Sequence, residues 1–375
     1  MKIGFIGSGW RTRTYWRIIR TLPQRFEISG VYFRNAEKAA AYEAEGQPFG
    51  GKAYTDLDEF LRAGHDMVMI LVPRKAVLPY IEKVVAAGLP VLVETPPANG
   101  VEELKAVWEQ QRRYGAKIQV AEQYFLQPYH RAVQSLVDQG TIGEVSNLRI
   151  SMMHDYHGIS VMRHLLGAGL KPCTIYARGY EFPVLYHIGR NNLEPAENQR
   201  MIRDRRKMAS FEYDDGKVGF FDFADEQYFN YFRSRHLNVQ GTHGEINDYD
   251  VAWMSEEGIP LTTRMVRQEA GPDSNLEGMS LHRITWNGKV LYESPFLGRR
   301  TDSQFVNAQE DARLSDDEIG MASLLAGMER MIAGGEEIYP LAEALQDTYM
   351  YLMMDEAVRT GQPVRIEKMP WMGEQ

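Results

Sequence analysis

The opening third of the chain alternates short, almost continuous apolar runs with helical patterns, and this constrains the fold more than any other feature. "KIGFI", "ISGVYF", "MVMILV", "LPVLVE" and "AKIQVAE" have strand length, while "NAEKAAAYEAEG" and "AVLPYIEKVVAAG" carry helical spacing. Strands that are apolar on both sides must be covered on both faces, so residues 1–122 are predicted to form a doubly wound, parallel α/β sheet. Beyond Glu122 the grammar changes. "PYHRAVQSLVDQGTIG" reads as a helix ended by glycine, "EVSNLRISMM" as a strand and "HGISVMRHLLGAG" as another helix. "MASFEYDDGKVGFFDFA" carries an Asp-Asp-Gly turn and "HRITWNGKVLYES" an Asn-Gly hairpin signal, and two helical patterns close the chain. Residues 123–375 are therefore expected to form a second α/β domain on a mostly antiparallel, open sheet.

The first strand runs into Gly7-Ser8-Gly9-Trp10-Arg11-Thr12. Gly7 suits a tight turn, Gly9 suits close approach to a pyrophosphate, and the helix that follows offers its N-terminus to the charge. Two glycines of a three-glycine fingerprint, with Thr12 at the third position, form a dinucleotide site when they sit between strand and helix at the start of a βαβ series. This predicts a Rossmann domain. Trp10, Arg11 and Thr12 then open the cofactor-binding helix, and Pro73 and Glu94, which close "DMVMILVP" and "LPVLVE", are placed with it. The second strand ends Val31-Tyr32-Phe33-Arg34-Asn35, with no carboxylate for an adenosine ribose. Arg34, with Lys38 one turn into the next helix, can instead receive a 2′-phosphate, so NADP is favoured over NAD.

The remaining classes are narrowed by composition. With 42 basic and 51 acidic residues the net charge is −9, which offers no general attraction to nucleic acid or to an anionic membrane. A single cysteine, Cys173, permits neither an intrachain disulfide nor a thiolate zinc cluster. The N-terminus has no secretory pattern and the apolar runs are too short to span a bilayer, so a cytoplasmic location is expected. No metal is expected.

Taken together, the glycine turn, "YTDLDEFL", "DMVMILVP", "AAGLPVLVETPPA", "AEQYFLQPYHRAVQSLVDQGTIGEVSNLRI", "HGISVMRHLLG" and "PLAEALQDTYMYLMMDEAVRTGQPV" resemble the glucose-fructose oxidoreductase/inositol dehydrogenase (Gfo/Idh/MocA) family. The resemblance implies a C-terminal domain whose open sheet makes homo-oligomer contacts. It implies NAD(P)-dependent oxidation or reduction of a hydroxyl or carbonyl on a sugar, cyclitol or polyol. It also implies two catalytic motifs, Glu-Lys-Pro after the fifth strand and His-x-x-Asp at the opening of a helix in the second domain.

Here the motifs read Glu94-Thr95-Pro96 and His157-Gly158-Ile159-Ser160. A threonine hydroxyl cannot accept the proton of a carbinol as a desolvated lysine can, so Thr95 is assigned to substrate binding, with Tyr124 and Ser160. The proton chemistry is expected in "HDYHG". There His157 is the leading candidate, His154 a second imidazole, Asp155 an orienting carboxylate and Tyr156 a phenol for the substrate oxygen. Helix capping by Asp155 is the plain structural reading of the same residue. "RDRRK", Arg203 to Lys207, reads as a solvated face rather than a nucleic-acid patch. The resemblance leaves two other functions open: a non-catalytic cofactor-binding sensor, with which the loss of the lysine is compatible, and a glycosidase-like enzyme that reduces and reoxidises bound NAD.

Overall fold

A computed structural model describes residues 1–188, 195–270, 280–296, 300–301, 304–305 and 314–373. The apolar runs of the first third become strands as expected. In chain order the elements are β1 (Lys2–Ile6), α1 (Trp10–Thr21), β2 (Glu27–Tyr32), α2 (Ala36–Ala44), β3 (Lys52–Tyr54), α3 (Leu57–Leu61) and β4 (Met67–Ile70). They continue with α4 (Val77–Ala86), β5 (Val91–Val93), α5 (Val101–Tyr114) and β6 (Ile118–Val120). The strands pair in parallel in the order β3-β2-β1-β4-β5-β6. Chain direction across the sheet reverses between β1 and β4, and a doubly wound sheet binds its ligand beyond the strand ends at such a point. Every side chain of β4 and β5 is buried, which explains why these runs show no alternation.

The second sheet is built from β7 (Val145–Ser151), β8 (Cys173–Ile188), β9 (Pro195–Tyr213) and β10 (Val218–Ala224), which follow α6 (Pro128–Asp138). A helix, α7 (Asp155–Leu166), connects β7 to β8. Four further strands join it: β11 (His236–Gly241), β12 (Gly244–Asn247), β13 (Asp250–Met254) and β14 (Pro260–Arg264). The order is β14-β13-β12-β11-β7-β10-β9-β8, completed by the short strand Val364–Arg365. All pairs are antiparallel except β7 with β10. The Asp-Asp-Gly turn joins β9 to β10, with Gly216 at φ +86°, and Asn287 (φ 48°) and Gly288 (φ 76°) form the turn between strands Ser280–Trp286 and Lys289–Glu293. Two positive φ values at adjacent residues are what a two-residue hairpin needs.

α7 lies tightly on this sheet. A Cβ on Gly158 would come within 2.7 Å of the Phe221 ring, and one on Gly219 would strike the Met162 side chain, so glycine at both positions sets how close helix and strands approach.

The chain divides into two compact units that are not contiguous in sequence. One comprises Met1–Tyr129, Arg267–Arg283 and Tyr292–Leu345; the other comprises His130–Val266, Ile284–Leu291 and Gln346–Gln375. The expected boundary at 122/123 falls where the parallel sheet ends, but a late segment also belongs to the first unit. It includes α8 (Asp316–Ile332), whose first turn is fixed by a reciprocal Ser315/Glu318 capping box. Glu318 and Glu329 on α8 pair with Arg17 and Arg25. The last helix is α9 (Leu341–Thr360). Among the described residues, no helix is long and apolar enough to cross a membrane.

Candidate functional site

In the first unit the predicted cofactor residues converge on the turn after β1. Gly7 has φ +118°, and a Cβ there would strike the Leu71 carbonyl that follows β4. Only glycine fits. In front of Gly9 nothing lies within 4 Å of a built Cβ. Gly9 is the N-cap of α1 and makes no side-chain cap, so the N–H groups of that first turn face an open space with no protein acceptor in the capping position. This combination fits a diphosphate. Thr12 is buried, and its hydroxyl donates to the Gly7 carbonyl at 3.1 Å. The residue at the third fingerprint position therefore ties the turn to the helix by a hydrogen bond, where a glycine would only permit close packing.

Trp10 is exposed beside the turn, with the Arg11 guanidinium 4.4 Å from its ring centroid. Arg11 itself is ion-paired with Glu94. Burial pushes the Glu94 carboxyl up from its ordinary value, while Arg11 and the Thr95 N–H, which donates to Glu94 Oε2 at 2.9 Å, pull the other way. Glu94 thus anchors both the opening of α1 and the backbone of Thr95, and the Thr95–Pro96 bond is cis. Tyr124 stands in the same unit, with its N–H donating to the Glu122 carboxylate at 3.0 Å. Arg34 and Lys38 are exposed, and the Lys38 N–H donates to the Asn35 cap of α2. Pro73 is exposed just beyond β4.

The proton-handling candidates all lie in the second unit, at the start of α7. The N-cap is His154, which makes no side-chain cap, and Asp155 is the first helical residue at φ 46°. Asp155 does not cap the helix. Its carboxylate instead accepts from Lys207 Nζ at 2.8 Å and faces His154 Nδ1 at 3.5 Å. Burial alone would raise the Asp155 carboxyl, but the His154 contact and the Lys207 charge outweigh it and bring it down to about 2.

His154 packs against His157 with ring centroids 4.7 Å apart, and against Tyr156 at 5.5 Å and Tyr228 at 5.7 Å. The Tyr228 hydroxyl also accepts the His154 N–H. His157 is buried; the His154 side chain is 38% exposed, which leaves one imidazole of the pair open to a ligand. Ser160 is buried too, and its hydroxyl has no hydrogen-bond partner among the described residues.

Sequence reasoning missed Lys207, Asp355 and Tyr228. Lys207 closes the "RDRRK" run, and that reading needs correction. Arg203 and Arg205 are exposed as expected, but Lys207 is largely buried between Asp155 and Asp355, 2.6 Å from the latter. Each cation of the run has a carboxylate partner, Arg203 with Glu181, Arg205 with Asp225 and Arg206 with Asp222. Arg203, Arg205 and Lys207 alternate onto the same face of β9, so the local pattern does not separate the buried cation from the exposed ones; the carboxylates that neutralise them come from other segments. No group of three or more His, Cys, Asp or Glu side chains among the described residues could hold a metal ion.

Residues 1–122 match the model of a family described as "Oxidoreductase family, NAD-binding Rossmann fold". An inositol 2-dehydrogenase of Corynebacterium glutamicum is 30% identical over 151 residues, 40% of this chain and 44% of that protein. A putative oxidoreductase, YteT, of Bacillus subtilis is 26% identical over 167 residues, 41% of this chain and 38% of that protein. The matched segments thus span less than half the length of these curated relatives. An NAD-binding oxidoreductase from Klebsiella pneumoniae superposes with a TM-score of 0.67 at 17% identity, over 98% of this chain and 100% of that one. At that identity the likeness speaks for the fold, an α/β fold with a Rossmann-like parallel sheet and a second, mostly antiparallel sheet.

Proposed function

We infer from the match of residues 1–122 to the Gfo/Idh/MocA oxidoreductase family model that this chain is an NAD(P)-dependent dehydrogenase or reductase. Its substrate is a sugar, cyclitol or polyol, and its proton chemistry falls to histidine in place of lysine. The glycine turn carries the reading: a position that admits only glycine, open space at Gly9 and an uncapped helix N-terminus meet at the reversal point of the sheet. A likeness to levoglucosan dehydrogenase, solved with NADH and levoglucosan, extends over 98% of this chain at 15% identity and a TM-score of 0.67, and is consistent with that class of substrate.

When bound, a nicotinamide dinucleotide supplies hydride exchange at the carbinol or carbonyl carbon. The remaining work belongs to the chain. Gly7, Gly9 and the first turn of α1, with Trp10, Arg11 and Thr12, hold the diphosphate; Pro73 and Glu94 shape the same side. Thr95 and Tyr124 offer hydroxyls to the substrate, as does Ser160. His157 and His154 accept or return the hydroxyl proton, Asp155 orients the imidazole, and Tyr156 holds the substrate oxygen. The test is reduced-nicotinamide absorbance with NAD and NADP across a panel of sugars, cyclitols and polyols. Turnover on one of them supports the reading. Cofactor binding without turnover on any marks a sensor, and aglycone release without net reduction marks the glycosidase-like alternative.

Two expectations accompany it. NADPH should bind more tightly than NADH, because no carboxylate ends β2 while Arg34 and Lys38 stand exposed beyond it. Titration of wild type and Arg34→Ala checks this: the preference should narrow in the variant, and equal affinities in the wild type would refute it. The protein should also be a homo-oligomer. The outer face of the second sheet exposes Tyr176, Tyr180, Met208 and Phe220, and a groove of about 1080 Å³ there is also lined by Arg149, Arg206 and Asp222. Exposed apolar side chains in one contiguous patch favour burial against another copy. Light scattering at micromolar concentration reads the mass, and a clean monomer defeats the idea.

A further inference from the structure

We propose that Lys207 is a positioning residue of the proton-handling cluster: together with Asp355 it fixes the Asp155 carboxylate against His154 Nδ1, so that His154 presents Nε2 as a proton acceptor. The inference rests on the reading of this site as one that moves a proton. It also addresses the missing lysine, since it gives the site an ammonium group that serves as a fixed charge and not as a base.

Three observations carry it. The first is backbone geometry. Asp155 adopts φ 46°, a left-handed conformation that a non-glycine residue takes only at a cost, and it forgoes the ordinary use of an aspartate near a helix start. The side chain that results from this strain points to Lys207 and His154. Strain retained at one residue is expected where the surrounding contacts over-determine it.

The second is the company of Lys207. Its ammonium lies 2.8 Å from Asp155 and 2.6 Å from Asp355, and 5.2 Å from the centroid of Tyr351 on α9. Burial would lower its pKa, but the two carboxylates outweigh burial and raise it. A lysine so held keeps its proton at neutral pH and cannot replace the base absent at residue 95. One cation between two carboxylates leaves a net negative charge to share, and the ring on the open side of that charge is His154. Arg205 adds a weaker positive field from β9.

The third is tautomer control. A carboxylate facing Nδ1 favours the Nδ1–H form of a neutral imidazole, which frees Nε2 to accept. Asp155 can do this only while ionised, and above about pH 2 it is.

Removing the ammonium should leave Asp155 and Asp355 facing each other as like charges in a partly buried site, and one of them should then hold a proton at higher pH. In Lys207→Met the Asp155 carboxyl, followed by carbon NMR in the full-length protein, should titrate well above its wild-type range. kcat should fall by roughly tenfold near pH 7 and show a new acid limb, with KM and dinucleotide affinity nearly unchanged. Lys207→Arg, which keeps the charge, should restore the low titration and most of the rate. If the methionine variant fails to fold, Lys207→Gln tests the same loss of charge while keeping a donor.

The carboxyl titration needs no substrate, so it can be read even if the wild type turns over no polyol and the dehydrogenase reading fails. An Asp155 titration unchanged in the uncharged variants overturns the positioning role. So does a loss of rate with neither an acid limb nor rescue by arginine, since that is what a purely structural lysine would give.

Discussion

Replacing His157 by alanine is expected to lower kcat by two or more orders of magnitude with dinucleotide binding nearly intact, the range for loss of a general acid/base. His157 lies in the second unit, while the glycine turn and α1 lie in the first. Its ring is fixed from both sides, 4.7 Å from His154 and 4.4 Å from Tyr156 between centroids. The backbone that carries it cannot drift, because the next residue, Gly158, sits against Phe221 of β10. A buried imidazole also fills space, so part of any loss could come from packing. His157→Gln, polar and of similar size, separates the two contributions: it should remain as impaired as alanine while melting close to wild type. Thr95→Ala is the companion measurement. A hydroxyl that only contacts substrate should show mainly in KM, by a few-fold, on the order of one hydrogen bond. Full activity in His157→Ala refutes the assignment.

The fold was largely legible in the sequence because buried parallel strands and amphipathic helices carry their own local signatures. β4 and β5 are read directly from "MVMILV" and "LPVLVE", since every side chain in them is apolar and buried. β3 escaped notice for the converse reason. It is three residues long, lies at the sheet edge and buries none of its side chains, so no apolar run marks it. The assignment of α8 to the first unit was equally invisible. It is established by pairs such as Arg25 with Glu329 and by the Gly320 backbone lying against the Gln123 carbonyl, contacts that no periodicity encodes.

The site follows the same rule. Gly7, Gly9 and the "HDYHG" cluster are contiguous motifs and could be named from the sequence. Lys207 could not, because its meaning depends on Asp155, 52 residues earlier, and on Asp355 in the closing helix. Thr12 stands where the fingerprint has its third glycine, and its hydroxyl holds the Gly7 carbonyl. A single residue type cannot disclose whether it packs or bonds until its neighbour across the turn is known.

The helix that bears the histidines is pinned by a buried ion pair, and breaking that pair should cost the second unit more stability than any other single change considered. Arg163 on α7 is 2% exposed, donates to Asp347 on α9 at 2.5 Å, and binds the Gly169 carbonyl that follows its own helix at 3.1 Å through Nε. Both charged groups are almost entirely shielded from water. Truncating one partner leaves the other as an uncompensated buried charge, a loss of about 3–5 kcal/mol. Arg163→Met should therefore lower the melting temperature by on the order of 10 °C, and Asp347→Ala should do the same. The double variant Arg163→Met/Asp347→Leu should recover most of that loss, because burying two charges costs desolvation that well-packed apolar side chains avoid. Calorimetry on the three variants decides it. If the double variant is as unstable as the sum of the two single ones, the pair is not an isolated electrostatic unit, and its hydrogen bonds to the Gly169 carbonyl carry the larger part of the stabilisation.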